Sequence, residues 1–227
     1  MAVLSVTFSA FSRQRDDKVK LNHNARKVYI LWAFVMFPLM CGLIAVAEDM
    51  FRVLLPEVWL PAVRYLRILS IAGLLAPLSV ISFNLVKVCD DGNVIFRIEF
   101  VKKLIATAIL AITIPISVEA IAWGQVAIFV SDMTINCLTA KRYVPEWRLG
   151  ARMKDALPYL GVTGLMVAFV WLLGFVGAAL SIPLWVVFVA KILFGAGFYA
   201  LLSELFRLPA WLEMKEIVIG YFPRRNK

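Results

Sequence analysis

The sequence predicts an all-α fold, a polytopic membrane bundle of six transmembrane helices. Of its 227 residues, 62% are apolar, well above the roughly 45–50% of a soluble globular domain. Six stretches reach the length of about 20 predominantly apolar residues that a helix needs to cross the hydrocarbon core of a bilayer. Such runs are too long for buried strands. Basic residues, moreover, collect in alternate loops between them.

The first predicted span covers residues 28–47. Residues 2–11 are mostly apolar but too few to cross a membrane, and no basic residue precedes them, as one would in a signal peptide. We interpret them as the end of a helix whose earlier part is missing; a short interfacial helix is the alternative. Residues 12–27 follow as a basic link, so residues 1–27 form the first segment of the chain.

Spans two, three and four are predicted at residues 65–88, 94–116 and 118–138, and with span one they form a four-helix part over residues 28–142. Residues with turn chemistry separate these spans. They are Pro56 and Pro61, then Asp90-Asp91-Gly92-Asn93, then Pro115.

Spans five and six are predicted at residues 157–178 and 182–206, after Pro145 and around Pro183. With a basic tail they make up residues 143–227, as two additional transmembrane helices. Pro38 and Pro77 interrupt spans one and two, and a helix in a membrane tolerates such prolines where neighbours satisfy the freed carbonyl.

The positive charges predict the orientation. Twenty of the 24 Lys and Arg residues lie before span one, around the loop between spans two and three, between spans four and five, or after span six. This asymmetry places both termini in the cytoplasm. It also accounts for most of the net charge of +9 without a nucleic-acid partner. The four remaining cations are Arg52, Arg64, Arg67 and Lys191.

The residues needed for enzymatic chemistry are scarce. The three cysteines form no CxxC pair, and the single histidine, His23, lies outside the spans. One histidine without clustered carboxylates does not provide the usual ligands of a metal site. The sequence contains no phosphate-binding glycine loop and no nucleophile elbow. It therefore predicts no metal, no cofactor and no enzyme.

Ionisable residues inside spans are costly, so each is a candidate functional residue. In span three, Glu99 can pair with Lys102 or Lys103 at helical spacing. The two lysines either extend to the cytoplasmic headgroups or face a water-filled cavity that accepts an anionic headgroup. In span four, Asp132 shares a helical face with Gln125 and Asn136. That face serves either interhelical hydrogen bonding or substrate contact.

Three further cations complete the candidate set. Arg64 and Arg67 open span two on the outer side, one turn apart. Lys191 lies about nine residues into span six, or roughly 13 Å along the helix. That depth makes it hard for the ammonium to reach the outer interface.

Several pieces of the sequence match motifs of a known family. They are residues 4–17, 37–43, 59–62, 66–78, Asn84 and 97–103. The segment 4–17 is similar to a "P-x-x-S-R-x-x-D-D" motif, with Thr7 or Phe8 near the place of the proline. Together these pieces resemble Wzx-like polysaccharide and O-antigen flippases, within the multidrug/oligosaccharidyl-lipid/polysaccharide transporter superfamily. The usual Gly-Arg turn between spans two and three reads Asp90-Asp91 here, so a phosphate contact of the family's Arg does not carry over to this chain.

The resemblance implies the C-terminal lobe of a MATE-like flippase fold, with an N-terminal lobe missing from this chain. It implies translocation of an undecaprenyl-diphosphate-linked oligosaccharide across the bacterial inner membrane for surface polysaccharide biosynthesis, including lipopolysaccharide. Its partners would be the lipid bilayer and that lipid-linked sugar. Half of a drug/cation antiporter, a non-transporting membrane subunit and an inactive truncated remnant are the alternatives. The substrate-cavity candidates are Arg64, Arg67, Lys102, Lys103, Asp132 and Lys191.

Overall fold

The computed structural model describes residues 17–90 and 92–221, with side chains up to residue 216. Within these residues the chain forms seven α helices and one 3-10 helix, and no strand. The all-α prediction is confirmed. The helices are α1 (Lys18–Leu54), a 3-10 helix (Glu57–Ala62), α2 (Val63–Cys89), α3 (Asn93–Thr113), α4 (Val118–Tyr143), α5 (Leu149–Ala179), α6 (Leu184–Leu205) and α7 (Pro209–Tyr221).

Helix α1 begins ten residues before the predicted start of span one. The side chain of Asp17 accepts a hydrogen bond from the backbone N–H of Lys20 and so caps the helix. Leu21 and Ala25 follow on one face and are fully buried, so the residues predicted as a link pack into the bundle. At 37 residues the helix is about 55 Å long. The predicted helix end at residues 2–11 lies outside the described residues.

The bundle has two ends, called the basic end and the opposite end. The basic end is where α1, α3 and α5 begin; the opposite end is where α2, α4 and α6 begin and where the 3-10 helix lies. At the basic end the chain turns at Gly92, whose φ of +107° lies in the left-handed region that glycine adopts without strain. There the Asp90 side chain accepts hydrogen bonds from the backbone N–H groups of Gly92, Val94 and Ile95. Asp90 thereby caps α3.

Helix α1 is the central element of the bundle. It packs against α2 on one side and against α5 and α6 on the other. Helix α4 packs along α2, and α3 packs on α4 at the edge. The main core lies between these elements toward the basic end and includes Phe34, Ile81, Leu85 and Trp147. The two helices predicted as additional, α5 and α6, thus reach the four-helix part mainly through α1.

Five segments are long and apolar enough to cross a membrane: α1, the 3-10 helix continued by α2, α4, α5 and α6. Helix α3 forms as predicted, but its 21 residues include Arg97, Glu99, Lys102 and Lys103. An all-α membrane bundle fits the structure, whereas the count of six spans stays a prediction.

Candidate functional site

Lys102 is the centre of a charged group between α3 and α4. Helix α3 is described over its whole length, and Lys102 is its only buried residue, with 8% of its surface exposed. The Lys102 Nζ lies 2.5 Å from a carboxylate oxygen of Glu99 and 4.0 Å from one of Asp132. It also lies 4.7 Å from the ring centroid of Phe83 on α2, a cation–π distance. Glu99, Lys102 and Asp132 are called the Lys102 cluster below.

The structure separates the two lysines of span three. Lys103 is exposed, whereas Lys102 is buried. Glu99 pairs with Lys102 at the i+3 spacing, one of the two pairings that the sequence allowed. A buried ammonium needs this pairing because an unpaired buried charge is strongly destabilising.

The polar face of α4 is divided between its two neighbours. Asn136 donates hydrogen bonds to the carbonyl oxygen and the hydroxyl of Ser79 on α2, at 3.3 and 3.0 Å. This contact is the interhelical hydrogen bonding expected of the face. Asp132, one turn earlier, lies beside α3 instead. Gln125 is half-buried.

Arg64 and Arg67 line a pocket of about 460 Å³ at the opposite end of the bundle. Arg64 pairs with Glu119 of α4 at 3.4 Å, and Arg67 donates a hydrogen bond to the carbonyl of Ile44. Two further charged residues of α1 line the same pocket. They are Glu48 and Arg52.

Glu48 lies between two of these arginines. Its carboxylate is 2.9 Å from the Arg52 guanidinium and 3.7 Å from that of Arg67. Arg52 is one of the four cations that the sequence places outside the basic loops, but Glu48 was not predicted because it lies past the predicted end of span one. Their i, i+4 spacing was the available signal. The arginines, the two glutamates and the surface between them are called the opposite-end pocket.

Lys191 lies in a third place, between α6 and α1. Its Nζ is 2.5 Å from a carboxylate oxygen of Asp49, and only 8% of the residue is exposed. Lys191 is the eighth residue of α6 and lies about 10 Å along the helix from its first residue. Asp49 was also missed from sequence, since it follows the apolar run that defined span one.

The six candidate residues therefore form three separate groups with no shared residue. Lys102, Lys103 and Asp132 belong to α3 and α4. Arg64 and Arg67 belong to the opposite-end pocket, and Lys191 belongs to the contact between α6 and α1. Both lysines at the centre of a group, Lys102 and Lys191, are buried and paired with a carboxylate. The assignment of the six residues to a substrate cavity stays a prediction.

A fourth charged group lies at the basic end and was counted in sequence analysis only as a topological signal. Arg152 of α5 is buried and lies 3.3 Å from Asp155, which also receives two hydrogen bonds from Arg26 of α1. Its guanidinium lies 4.9 Å from the ring centroid of Trp147. Tyr29 donates a hydrogen bond to the Arg152 carbonyl. This group ties α5 to α1.

The chemistry available at these sites is the binding of anions by cations. In the part of the chain that the structure describes, no group of three or more His, Cys, Asp and Glu residues could hold a metal ion. Lys102 and the arginines of the opposite-end pocket are suited to phosphate or carboxylate ligands. Both sites contain carboxylates, so a bound anion would have to replace an internal partner.

This chain is similar to one protein family and to a bacterial relative. The family described as "Polysaccharide biosynthesis protein" matches residues 1–64. A relative from Klebsiella pneumoniae, named "Uncharacterized membrane protein in cps region", is 25% identical over 209 residues. The aligned part covers 88% of this chain and 41% of the relative, so the chain spans less than half of that protein's length. No solved structure matches.

These matches fit the Wzx-like polysaccharide flippase family that the motifs resemble. With five apolar helices of spanning length, they support a membrane-embedded protein.

Proposed function

We propose that this chain is the C-terminal lobe of a flippase that carries a lipid-linked oligosaccharide, with a diphosphate in its headgroup, across the bacterial inner membrane. On this proposal the basic end faces the cytoplasm, as the distribution of cations predicts. The chain acts as a transporter lobe and not as an enzyme. The family match and the relative from a cps region support the polysaccharide part of the proposal.

The observation that carries the proposal is the environment of Lys102. The only buried residue of α3 is a lysine, while Glu99 and Lys103 on the same helix remain accessible. Charged side chains at membrane depth are rarely directed at lipid; they face a bundle interior or a water-filled cavity. We therefore assign the charged part of α3, around Lys102, to the substrate path. On this proposal a second lobe lies on the other side of that path.

The carboxylates of the Lys102 cluster have a defined part in this mechanism. In the empty transporter, Glu99 and Asp132 offset the charge of Lys102, so the buried ammonium is never left unpaired. A diphosphate that enters from the basic end replaces Glu99 as the partner of Lys102. Glu99 is able to move away because 36% of its side chain is exposed. When the headgroup leaves, Glu99 returns to Lys102.

The opposite-end pocket provides a second anion position, nearer the far side of the membrane. Its three arginines exceed the two glutamates that pair with them by one positive charge. We assign Arg64 and Arg67 to the headgroup on its way out. Lys191 is left out of the substrate path because its partner Asp49, with 17% of its side chain exposed, has less freedom to move away than Glu99, with 36%.

Deletion of the gene in its bacterial host tests this function. The proposal expects less surface polysaccharide and an accumulation of the lipid-linked oligosaccharide in the cytoplasmic leaflet, both reversed by the plasmid-borne gene. Failure to make the lipid-linked oligosaccharide at all would point to synthesis instead of export and contradict the proposal. No change in either quantity would also contradict the proposal and would leave the antiporter, the non-transporting subunit and the inactive remnant as the alternatives.

A further inference from the structure

Helix α1 lacks one backbone hydrogen bond because of Pro38, which has no N–H to offer the carbonyl of Phe34. The hydroxyl of Tyr199 on α6 donates a hydrogen bond to that carbonyl at 2.9 Å. Tyr199 is buried, with 7% of its surface exposed. A side chain of α6 thus supplies the hydrogen bond that the proline removes from α1.

The same face of α6 makes a second polar contact with α1. Lys191 lies eight residues before Tyr199, about 12 Å along the helix, and its ammonium is bound to Asp49. Asp49 follows Pro38 along α1, whereas Phe34 precedes it. The two contacts of α6 therefore hold α1 on both sides of its weakest point.

The space between these contacts is open. A cavity of about 440 Å³ lies between α1, α5 and α6 and is lined by Pro38, Val46, Lys191, Gly195 and Tyr199, among others. Tight packing that would immobilise Pro38 is therefore incomplete on the side of α6. In this region the two polar contacts, and not close packing, hold α1 against α6.

Helix α5 leaves room for the ammonium at this point. A Cβ atom added at Gly174 would lie 2.6 Å from the Lys191 Nζ and 2.7 Å from its Cε, so the end of the lysine side chain would have to shift. The absence of a side chain at Gly174 lets Lys191 pass between α5 and α6 to reach Asp49. Three helices thus converge on one ion pair.

We propose that α6 is a splint across a hinge at Pro38. The Tyr199 contact holds the part of α1 before the proline, and the Lys191–Asp49 pair holds the part after it. When that pair opens, residues 39–54 swing relative to α6. The swinging part carries Glu48 and Arg52, so the splint controls the shape of the opposite-end pocket. This inference concerns motion within the chain and holds whatever the transporter carries.

Distance measurements between spin labels test the splint directly. Labels are attached at Leu54→Cys, the last residue of α1, and at Trp185→Cys near the start of α6. Both native side chains are 63% exposed. The three native cysteines are replaced by alanine, and the full chain is measured in lipid nanodiscs by double electron–electron resonance. The readout is independent of any transported substrate.

The key variant is Lys191→Met combined with Asp49→Asn, which removes the link without leaving an unpaired charge. We expect its distance distribution to be broader than that of the parent. Gly174→Ala is a second variant, which displaces the ammonium and changes no charge; we expect it to broaden the distribution as well. Gly164→Ala, on the same helix with no atom within 4 Å of the added carbon, is the matched control.

The hinge itself is tested by adding Pro38→Ala, which restores the missing N–H. If Pro38 is the hinge, Pro38→Ala returns the distribution of the double variant to the parental width. An unchanged distribution in both the double variant and Gly174→Ala would overturn the splint. Broadening that persists in full with Pro38→Ala would overturn the hinge and leave a local packing contact in its place.

Discussion

Lys102 on α3 and Asp132 on α4 face each other, with the lysine Nζ 4.0 Å from a carboxylate oxygen. Glu99 lies closer to the same nitrogen, at 2.5 Å. One buried ammonium is therefore shared by two carboxylates on different helices, and the nearer one is its main partner. Because Glu99 is the nearer partner, the loss of the Asp132 carboxylate should matter less than the loss of the Lys102 ammonium.

Asp132→Asn distinguishes flipping from drug/cation antiport. Because Glu99 keeps Lys102 paired, the variant should fold and should restore polysaccharide export in the deleted host at close to the normal level. A drug antiporter that depends on this carboxylate would instead lose all proton-coupled efflux. Export is measured as surface polysaccharide per cell, and drug efflux as accumulation of a fluorescent cation. Complete loss of the efflux activity with Asp132→Asn would favour the antiporter.

Gly177→Ala should destabilise the contact between α5 and α6. The added carbon would lie 2.6 Å from one methyl group of Val187 and 3.1 Å from the other, and a β-branched side chain has little freedom to move away. Overpacking of this kind costs about 1–3 kcal/mol. Unfolding in mixed micelles measures it, with Gly164→Ala as the control in open space. Equal stability of the two variants would contradict the close helix approach.

Trp147→Phe tests the polar contact between the α4–α5 connection and α2. The indole Nε1 donates a hydrogen bond to the Ser82 hydroxyl at 2.9 Å, and both residues are fully buried. Trp147→Phe removes this hydrogen bond, while the Ser82 hydroxyl still donates to the Leu78 carbonyl. A typical hydrogen bond contributes about 0.5–1.5 kcal/mol, so the free energy of unfolding should fall by at least that amount. The double variant with Ser82→Ala should cost little more than either single change. Strict additivity of the two losses would show that the hydrogen bond is unimportant.

The cap of α3 should make stability depend on pH in the acidic range. Partial burial tends to raise the pKa of Asp90, but hydrogen bonds to its carboxylate outweigh this effect and hold the pKa below its ordinary value of 3.8. The donors are the Tyr143 hydroxyl and the backbone N–H groups of Gly92, Ile95 and Val94.

Because the pKa of Asp90 is lower in the folded state, the stabilisation is complete above pH 3.8 and is lost as the pH falls through the folded value. Asp90→Asn keeps an acceptor but does not titrate. Its deficit in stability relative to the parent should be constant near neutral pH and should shrink below pH 3.8. A deficit that grows on acidification would contradict the assigned role of Asp90.

The sequence predicted the helices well because their signal is a simple one. Apolar runs of spanning length, separated by prolines and polar turns, indicated every long helix. The boundaries were less accurate where a helix leaves the membrane. Residues 18–27 are polar enough to be mistaken for a link, and only the spacing of Leu21, Ala25 and Tyr29 marks the face that the fold buries.

The pairing of charges could not be predicted from spacing along the chain. Glu99 and Lys102 are one turn apart, and their contact was expected. The contact between Lys191 and Asp49 joins residues 142 positions apart, and it depends on the packing of α6 on α1, with Gly174 of α5 beside the end of the lysine side chain. The sequence identified Lys191 as unusual for its depth, but its partner depends on the tertiary fold.

The similar family has a Gly-Arg turn where this chain has Asp90-Asp91. The structure explains the aspartate at position 90. Asp90 caps α3 through backbone N–H groups and accepts a hydrogen bond from Tyr143. A carboxylate at this place stabilises the start of the helix that carries Lys102. Asp91 lies outside the described residues, so this explanation concerns Asp90 alone.

Substitution of Lys102 in the deletion host, with the leaflet distribution of the lipid-linked oligosaccharide as readout, tests the central claim most directly. A hydrogen bond to a charged group contributes about 1.5–3 kcal/mol, so loss of the ammonium should slow export about 10- to 100-fold. Lys102→Arg keeps the charge and should retain most of the export. Lys141→Met, at an exposed position of α4, is the control for loss of one positive charge.

The decisive variant is Lys102→Met with Glu99→Gln, which removes the cation without leaving the nearer carboxylate unpaired. If Lys102 binds the diphosphate headgroup, this variant reaches the membrane in normal amount while the oligosaccharide remains in the cytoplasmic leaflet. If it delivers the oligosaccharide to the outer leaflet at the parental rate, Lys102 is a structural residue and the proposed substrate path along α3 is wrong.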